Sequence, residues 1–232
     1  MDKRPNIIAR MFDRIAPSYD RLNTILSFGL DKGWRRAVIR ALALHDGEHV
    51  LDIATGTGDM ALLALDQTSC QITGIDLSRQ MLIRAAAKAA RRNHGAHYSV
   101  LQGNALNMPF PDATFSKAMV GFGIRNMNDI PGLFAEVHRV LKPSGRFAVL
   151  EFSTPEHVPF RWLYLLYLLR VMPTVGGIIS GDFAAYRYLR DSVLAFPAPP
   201  VLEDMLQKNG LRMVASKALF FGIAHLYLAE KS

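Results

Sequence analysis

A short apolar run that breaks into two glycines limits the fold of this chain more than any other feature. Residues 50–54 form a nearly continuous apolar stretch, typical of a parallel strand that is buried on both faces. Gly56 and Gly58 then make a loop, and residues 59–64 have the composition of a following helix. Because glycine has no Cβ, such a loop lets the backbone approach a ligand at the carboxyl end of a sheet. A tight turn between strand and helix is the simpler alternative.

The ends of the next two predicted strands favour the ligand site. The strand at 71–75 ends in Asp76, about 20 residues beyond the first glycine, where nucleotide-binding folds place an acid on the ribose hydroxyls. The strand at 98–102 is followed by Gly103, Asn104 and Ala105, a turn suited to contact with an adenine edge. A glycine loop, a carboxylate and a polar turn at three successive strand ends predict a nucleoside site.

Two nucleoside cofactors fit this pattern. Gly56, Gly58 and Ala61 match the spacing of the dinucleotide fingerprint, so NAD(P) and an oxidoreductase stay open. That fingerprint seats a pyrophosphate at a helix N-terminus, where the carboxylate of Asp59 would repel it. The same carboxylate would attract the sulfonium and ammonium groups of S-adenosylmethionine, which we therefore favour. A capping role for Asp59 is the alternative.

The order of elements predicts an α/β fold. Strands and helices alternate as strand 49–54, helix 59–66, strand 71–76, helix 79–92, strand 97–102, strand 115–122, helix 129–141 and strand 146–152. After helix 199–209, strands 211–219 and 224–228 are joined by too few residues for a crossover helix, so we expect an antiparallel hairpin. A Rossmann-like doubly wound sheet closed by such a hairpin is the arrangement of class I S-adenosylmethionine-dependent methyltransferases.

Two helical segments flank this predicted sheet. Residues 1–45 are expected to form an N-terminal helical cap, either as plain packing or as a lid, on a methyltransferase domain at 46–232. A helical insertion is expected at about 156–196. Its residues 160–172 are apolar on every helical face but well short of the ~20 residues that span a bilayer. We expect this helix to line an apolar pocket or to lie in a membrane interface, with a buried core helix as the alternative.

The charge of the chain limits the classes of partner that it is expected to bind. A net charge of +7 and a pI of about 9.7 suggest an anionic partner, either nucleic acid or the head groups of a membrane, although a merely soluble basic protein is also consistent. The single cysteine, Cys70, suits a reducing cytoplasm, and the N-terminus lacks the apolar core of a signal peptide. The seven histidines show no ligand spacing, so no metal site is expected.

Long motifs at both ends of the chain carry a resemblance to a known family. The segment 19–34, with Tyr19, Asp20, Asn23 and Trp34, resembles the first signature of the quinone C-methyltransferases of menaquinone and ubiquinone biosynthesis. The segment 139–153 resembles the second signature, and 122–126 and 185–192 look like further family stretches. The resemblance covers nearly the whole chain.

The resemblance implies methyl transfer from S-adenosylmethionine to a ring carbon of a polyprenylated quinol. Demethylmenaquinol is the expected substrate, a ubiquinone-pathway benzoquinol is the alternative, and a membrane surface is an expected partner. Thr57, Asp76, Asn104 and Ala105 match cofactor-binding positions of the family, and Gly56 and Gly58 belong to the same loop. Three positions depart from its pattern: Asp31 replaces a histidine, Gly121 replaces a serine beside the cofactor, and Ser144 interrupts a Pro-Gly-Gly turn.

The expected quinol chemistry needs groups that accept a proton and stabilise a phenolate. Arg125 and Asn126 follow the fourth strand and would face the ring, with Arg125 stabilising the phenolate or orienting a water. Tyr188, Tyr19 and Asp31 are candidates for the other ring oxygens. Gly121 is kept as a cofactor contact through its backbone.

Other functions and partners are weighed against this interpretation. A nucleic-acid methyltransferase is disfavoured, because the residues after the fourth strand are not the Asn/Asp-Pro-Pro-aromatic turn of base-amino methylases. We therefore expect no nucleic-acid partner. A non-catalytic cofactor- or quinone-binding protein remains an alternative because of Asp31 and Gly121. A homodimer and a peripheral location on the inner face of the cytoplasmic membrane are left open.

Overall fold

One mixed sheet of seven strands organises the chain. The computed structural model describes residues 2–155 and 157–232, so Met1 of the predicted cap and Glu156 of the predicted insertion lie outside the described residues. The strands are β1 His49–Ile53, β2 Gln71–Asp76, β3 Tyr98–Gln102, β4 Phe115–Gly121, β5 Leu141–Phe152, β6 Leu211–Leu219 and β7 Ala224–Lys231. Their order across the sheet is β3-β2-β1-β4-β5-β7-β6.

The pairing of the strands confirms the predicted fold class. Neighbours from β3 to β5 are parallel, whereas β7 is antiparallel to both β5 and β6. The predicted C-terminal hairpin is therefore present. Most boundaries agree within one residue, but β7 continues to Lys231 rather than ending at 228, and β5 begins at Leu141 rather than at 146. Leu141 pairs with Phe115 before the segment 142–145 bulges out and regular pairing resumes at Arg146.

Ten α-helices surround the described sheet. Helix α5 begins as predicted at the N-cap Ser78, whose Oγ accepts a hydrogen bond from the backbone N–H of Met81 at 3.2 Å. The helices are α1 Pro5–Ile15, α2 Tyr19–Leu26, α3 Leu30–Leu42, α4 Asp59–Leu65, α5 Arg79–Arg91, α6 Ile130–Val140, α7 Val158–Leu166, α8 Met172–Ser180, α9 Phe183–Leu194 and α10 Pro199–Lys208.

Three apolar clusters hold these layers together. One cluster packs α3, α4 and α5 on one face of the sheet, and a second packs α6 and α10 on the other face. A third cluster joins α1 and α2 to the helices of the insertion, with Leu22, Leu168 and Met172 among its buried members. The N-terminal helices and the insertion therefore pack on each other, above the carboxyl ends of the parallel strands.

The apolar helix of the insertion is longer than the sequence predicted. Helices α7 and α8 are joined by a wider π-helical turn, Tyr167–Val171, and form one helix of 23 residues, Val158–Ser180. By length and composition alone this helix could cross a bilayer, so the expectation of a segment far too short to do so was wrong. Pro173 has no N–H to donate to Leu169 and its ring crowds that carbonyl, which explains the widened turn. Only one third of the helix's most apolar window is buried.

Candidate functional site

A small cavity lies where the sheet reverses its strand order, between β1 and β4. Its volume is about 70 Å³, and α1 closes it on the outer side through Ile8, Ala9 and Phe12. In open α/β sheets ligands bind at this switch point, beyond the carboxyl ends of the strands. Four of the predicted cofactor residues line it: Gly56, Asp76, Asn104 and Ala105.

The carboxylate of Asp76 organises the wall of this cavity. Its Oδ2 accepts a hydrogen bond from the backbone N–H of Gly56, and its Oδ1 accepts one from Ser78, both at 2.8 Å. Burial raises the pKa of Asp76 above its usual range. Gly56 has a φ of +56° and open space beside its Cα, so the loop presents bare backbone at the point where a ligand would approach.

The other three predicted cofactor residues, Thr57, Gly58 and Gly121, do not line the small cavity. The hydroxyl of Thr57 donates to Asp20 Oδ1 at 2.5 Å and accepts from Lys88 Nζ at 3.1 Å, so it faces α2 and α5. A Cβ on Gly58 would lie 3.1 Å from the Tyr98 ring. A Cβ on Gly121 would lie 3.2 Å from Cε of Met60. None of the three lines the cavity, and only backbone atoms remain for a cofactor contact.

Asp59 does not act as the sequence argument required. Its carboxylate forms an ion pair with Lys88 of α5, which also bonds Asp20 at 2.9 Å, and Asp59 does not line the cavity. Because Lys88 neutralises this carboxylate, its charge gives no preference for a sulfonium over a pyrophosphate. That part of the argument for S-adenosylmethionine was wrong.

A second, larger cavity adjoins the first. Its volume is about 390 Å³, and its walls come from α1–α3, the helices of the insertion and the β6–β7 connection. Most of its side chains are apolar, so the insertion lines an apolar pocket as predicted. Phe12, Phe122 and Asn126 line both cavities. A ligand in one cavity would therefore lie next to a ligand in the other.

One end of this apolar cavity is polar. Among the described residues, three buried side-chain polar atoms have no hydrogen-bond partner: Nε of Arg125, Oδ1 of Asn126 and the hydroxyl of Tyr188. All three residues line the large cavity. Buried polar atoms are almost always paired, and leaving one unpaired costs about 1–3 kcal/mol. Three such atoms in one cavity indicate a site built for a polar ring substituent.

An ion pair that the sequence interpretation missed holds Arg125. The guanidinium Nη1 donates to Glu151 Oε1 at 2.9 Å and also to the carbonyl of Phe122. Glu151 is 1% exposed, at the end of β5, and does not line the cavity itself. An acid in the otherwise apolar run 147–152 was the available signal for this buried partner.

A second ion pair lies on the helical wall. Asp31, one of the predicted catalytic residues, lines the cavity and is paired with Arg35 one turn further along α3. The hydroxyl of Ser27 donates to Asp31 at 2.8 Å. The Arg35 guanidinium lies 5.9 Å from the centre of the Phe122 ring. Asp31 is therefore no free carboxylate, and Arg35 is a cavity residue that the sequence interpretation did not include.

Two tyrosines, Tyr19 and Tyr188, supply hydroxyl groups to the large cavity. Tyr19 lines the large cavity, and its ring lies 4.0 Å from the position of a Cβ on Gly56. Burial raises the pKa values of both Tyr19 and Tyr188. Their hydroxyls stay protonated at neutral pH and can donate hydrogen bonds to an anionic oxygen. The arrangement suits the stabilisation of an oxyanion beside a bound nucleoside cofactor.

The expected cofactor fits the residues present, and comparisons with known proteins identify the family. The chain is 43% identical over 226 residues to the ubiquinone/menaquinone biosynthesis C-methyltransferase UbiE of Geobacter sulfurreducens, covering 97% of this chain and 88% of that protein. It is 42% identical over 222 residues to a demethylmenaquinone methyltransferase of Thermus thermophilus, covering 95% and 100%.

The solved structures support the fold. A methyltransferase from Aquifex aeolicus, described as S-adenosylmethionine-dependent, is 16% identical and superposes with a TM-score of 0.62, covering 85% of this chain and 89% of that one. The model of the ubiE/COQ5 methyltransferase family matches residues 1–231. The expected S-adenosylmethionine-dependent methyl transfer is thereby confirmed. The chain belongs to the ubiE/COQ5 methyltransferase family.

Proposed function

We propose that this protein methylates a ring carbon of a polyprenylated quinol, converting demethylmenaquinol to menaquinol. The observation that carries the proposal is the set of three unpartnered polar atoms, on Arg125, Asn126 and Tyr188, at the end of an apolar cavity that adjoins the cofactor cavity. A quinol has the matching shape, with oxygens on a ring and an apolar chain behind it. Relatives named for this chemistry support the choice.

The small cavity marks the site assigned to S-adenosylmethionine, which would supply an electrophilic methyl group on sulfur. At about 70 Å³ the cavity is too small for the whole cofactor, so α1, which closes it, would move outward on binding. Asp76 would accept hydrogen bonds from the ribose hydroxyls, and Asn104 with Ala105 would contact the adenine edge. The backbone of the loop at Gly56, Thr57 and Gly58, together with that of Gly121, would shape the remaining wall. In this proposal residues 1–45 act as a cap, since α1 lines both cavities.

The large cavity is assigned to the quinol. A ring hydroxyl must lose its proton so that electron density on the ring carbon can form the new C–C bond, while the electron pair of the S–C bond stays on sulfur. The ring carbon then loses its own proton, the phenolate oxygen takes a proton back, and the quinol is restored with the net release of one proton. Arg125 stabilises the phenolate, and Asn126 and Tyr188 fix the ring beside it. Asp31 lines the same cavity in its pair with Arg35 and would face the ring's other oxygen.

The first experiment follows the methyl group. Labelled S-adenosylmethionine is supplied with chemically reduced demethylmenaquinol in detergent, and with a demethylated benzoquinol in parallel. Label in the menaquinol product supports the proposal, and label only in the benzoquinol product moves the substrate to the ubiquinone pathway. No label in either, with cofactor binding intact by titration, indicates a non-catalytic binding protein.

We also propose that the protein works at the inner face of the cytoplasmic membrane, where its substrate resides. The outward side of the long helix is apolar, with Trp162, Leu166, Leu169 and Ile178 exposed. Three residues, Phe28, Leu163 and Phe220, are exposed and also line the large cavity, so they form its mouth. A mouth surrounded by apolar surface lets a hydrocarbon tail enter without crossing water.

The hairpin tip beside this mouth supports the same proposal. Phe220 and Phe221 both have positive φ values, +44° and +55°, a conformation that bulky side chains rarely adopt. In a hairpin connection such as this one, of four residues at 220–223, positive φ values are usually taken by Gly, Asn or Asp. Here two exposed phenyl rings take those places and pack against Phe160, with ring centres 4.9 Å apart for Phe160 and Phe221. Backbone strain that exposes aromatic rings favours an interfacial role.

The two tryptophans allow membrane contact of this face to be measured by fluorescence. Trp162 is 76% exposed on it, whereas Trp34 is buried, so added vesicles of anionic phospholipid should shift the emission of Trp162 to the blue. The shift should persist at physiological salt, because apolar insertion is not screened. Leu166→Asp should abolish it, and Val201→Asp, at an exposed apolar site on α10, should not. If this face instead forms a homodimer, sedimentation should give a dimer mass for the wild type and a monomer mass for Leu166→Asp. Absence of any vesicle-induced shift would end the membrane proposal.

A further inference from the structure

We propose that Glu151 is a positioning residue of the methyl transfer, which acts through Arg125 without touching the quinol. This inference rests on the proposed function of the large cavity. The two residues are 26 positions apart, on the ends of neighbouring strands. Arg125 follows β4 in the short turn Ile124–Asn126, and Glu151 lies at the end of the neighbouring strand β5.

The carboxylate of Glu151 accepts hydrogen bonds from both the side chain and the backbone of Arg125. Oε1 accepts from Nη1 of the guanidinium at 2.9 Å, and Oε2 accepts from the backbone N–H of Arg125 at 3.2 Å. Oε1 also accepts from the backbone N–H of Phe152 at 2.9 Å, which fixes the carboxylate on its own strand. Backbone and side chain of one arginine are therefore held by one acid.

These contacts fix the orientation of the Arg125 side chain. Nη1 is committed to Glu151 and to the carbonyl of Phe122, and the guanidinium lies 5.3 Å from the centre of the Phe152 ring. Nε is buried and has no partner. A long flexible side chain in an apolar cavity would otherwise have several rotamers, and only a fixed guanidinium offers the same N–H to an oxyanion at every turnover.

The arrangement also balances charge. A buried guanidinium without a counter-ion would be strongly disfavoured, so Glu151 allows the Arg125 side chain to stay in the cavity wall. Lys3 is another cation near the pair, and it donates to the carbonyl of Met127 at 3.3 Å. Removing the charge of Glu151 should therefore release Arg125 rather than improve its contact with the quinol.

A double-mutant cycle tests this role. Glu151→Gln should lower kcat by about 10- to 100-fold while the KM for S-adenosylmethionine changes less than about twofold. In an Arg125→Met background the same change should alter kcat less than about twofold, because there is no guanidinium left to position. Losses that multiply in the double variant, or a Glu151→Gln enzyme with normal kcat, would overturn the proposal. The matched control is Glu230→Gln, which removes an acid paired with Arg146 and Arg212 elsewhere on the sheet and should leave kcat unchanged.

A spectroscopic readout separates this inference from the proposed function. The Nε–H resonance of Arg125, assigned by its loss in Arg125→Met, should be resolved and slow to exchange in the wild-type protein. It should broaden or merge with those of mobile arginines in Glu151→Asp, whose shorter side chain cannot reach both contacts. This holds even if no quinol is methylated, in which case the proposed function fails and the positioning of Arg125 stands. An unchanged resonance in Glu151→Asp would refute the positioning itself.

Discussion

The two cavities of this protein are built in opposite ways. The small one is made from consecutive strand ends, and its carboxylate, Asp76, is satisfied by the N–H groups of Gly56 on the neighbouring strand's loop and of Ser78 two residues on. The large one is made from helices that come from both ends of the chain, and its polar atoms at Arg125, Asn126 and Tyr188 lack partners. The carboxylate of the small cavity is thus paired within the protein, whereas these three groups of the large cavity need a ligand to pair with.

This difference indicates how the two sites should respond to change. A residue of the small cavity supports both the loop and the cofactor, so its loss should affect binding and structure together. A residue such as Tyr188, whose polar atom has no partner among the described residues, supports the ligand alone, so its loss should affect turnover while leaving the fold intact or more stable. Arg125 differs, because its loss also leaves the buried carboxylate of Glu151 without its counter-ion. The following experiments test this contrast.

The largest effect is expected for Arg125→Ala. Removing the donor that stabilises the phenolate should lower kcat by about 100- to 1,000-fold, the range found for loss of one oxyanion-stabilising donor. Titration should show that S-adenosylmethionine still binds, because Arg125 does not line the small cavity. Arg125→Lys, which keeps the charge but loses the planar donor group, serves as the matched variant. Full turnover by the alanine protein would remove Arg125 from the mechanism.

Asp76→Asn addresses the small cavity. An amide cannot accept on both of its ends, so one of the hydrogen bonds from Gly56 and Ser78 is lost and the contact to the ribose is weakened. Charge-assisted hydrogen bonds contribute about 1.5–3 kcal/mol, so the Kd for S-adenosylmethionine should rise roughly 10- to 150-fold. The KM for the quinol should stay nearly constant. An equal rise in both constants would contradict the separation of the cavities.

Asp52, beneath the glycine loop, links stability to pH. Burial raises its pKa from 3.8 to about 7, and Thr55 donates to it at 2.5 Å. The folded state therefore binds a proton that the unfolded state has released between about pH 4 and 7. The stabilisation that Asp52 gives is complete below about pH 4 and is lost as the pH rises through 7.

Asp52→Asn should remove this dependence. At pH 8.5 the variant should be more stable than the wild type by about 2 kcal/mol in denaturant unfolding, since one pKa unit corresponds to about 1.4 kcal/mol and relaxation absorbs part of the shift. At pH 4 the two proteins should be nearly equal. A stability difference that stays constant from pH 4 to 8.5 would show that Asp52 does not titrate in this range.

The smallest effect, and the sharpest in sign, is expected for Tyr188→Phe. The hydroxyl is buried without a partner, so deleting it should stabilise the protein by about 1 kcal/mol and raise Tm by a few degrees. The same deletion removes a hydrogen bond to the quinol, so kcat/KM should fall roughly fivefold to tenfold. Tyr227→Phe, at a fully buried ring away from the cavities, is the comparison. Loss of stability together with activity would mean that Tyr188 serves packing.

The sequence predicted what local rules encode. The strand–loop–helix at 49–65, the position of Asp76 and the C-terminal hairpin follow from periodicity and turn length, and the structure confirms them. The start of β5 was misplaced because Leu141 pairs across a bulge that no short-range pattern reveals. The long helix extends beyond the apolar run 160–172, because it continues through Pro173 with a widened turn instead of ending there.

The missed parts of the site depend on contacts between distant residues. Lys88 lies 29 positions from Asp59, and its ion pair cancelled a charge that the sequence argument had used. Glu151 was visible only as an acid in an apolar run, since its pairing with Arg125 is set by tertiary packing. Arg35 is one helical turn from Asp31 and was a pairing that helical spacing could have predicted. The unpartnered atoms of Asn126 and Tyr188 could not be predicted at all, because being without a partner is a property of the assembled cavity.

The apolar walls of the large cavity have a consequence for product diversity. About 390 Å³ lies near the lower end of the volumes that hold drug-sized ligands, so in the proposed function the cavity would enclose the ring and only the first part of a polyprenyl chain. The rest of the chain would extend past Phe28, Leu163 and Phe220 toward the lipid. Apolar side chains have no means to register where a hydrocarbon ends, so homologues of different isoprenoid number should react at similar rates. The number of isoprene units must then be fixed before methylation, by the class of enzyme that attaches the prenyl chain to the ring.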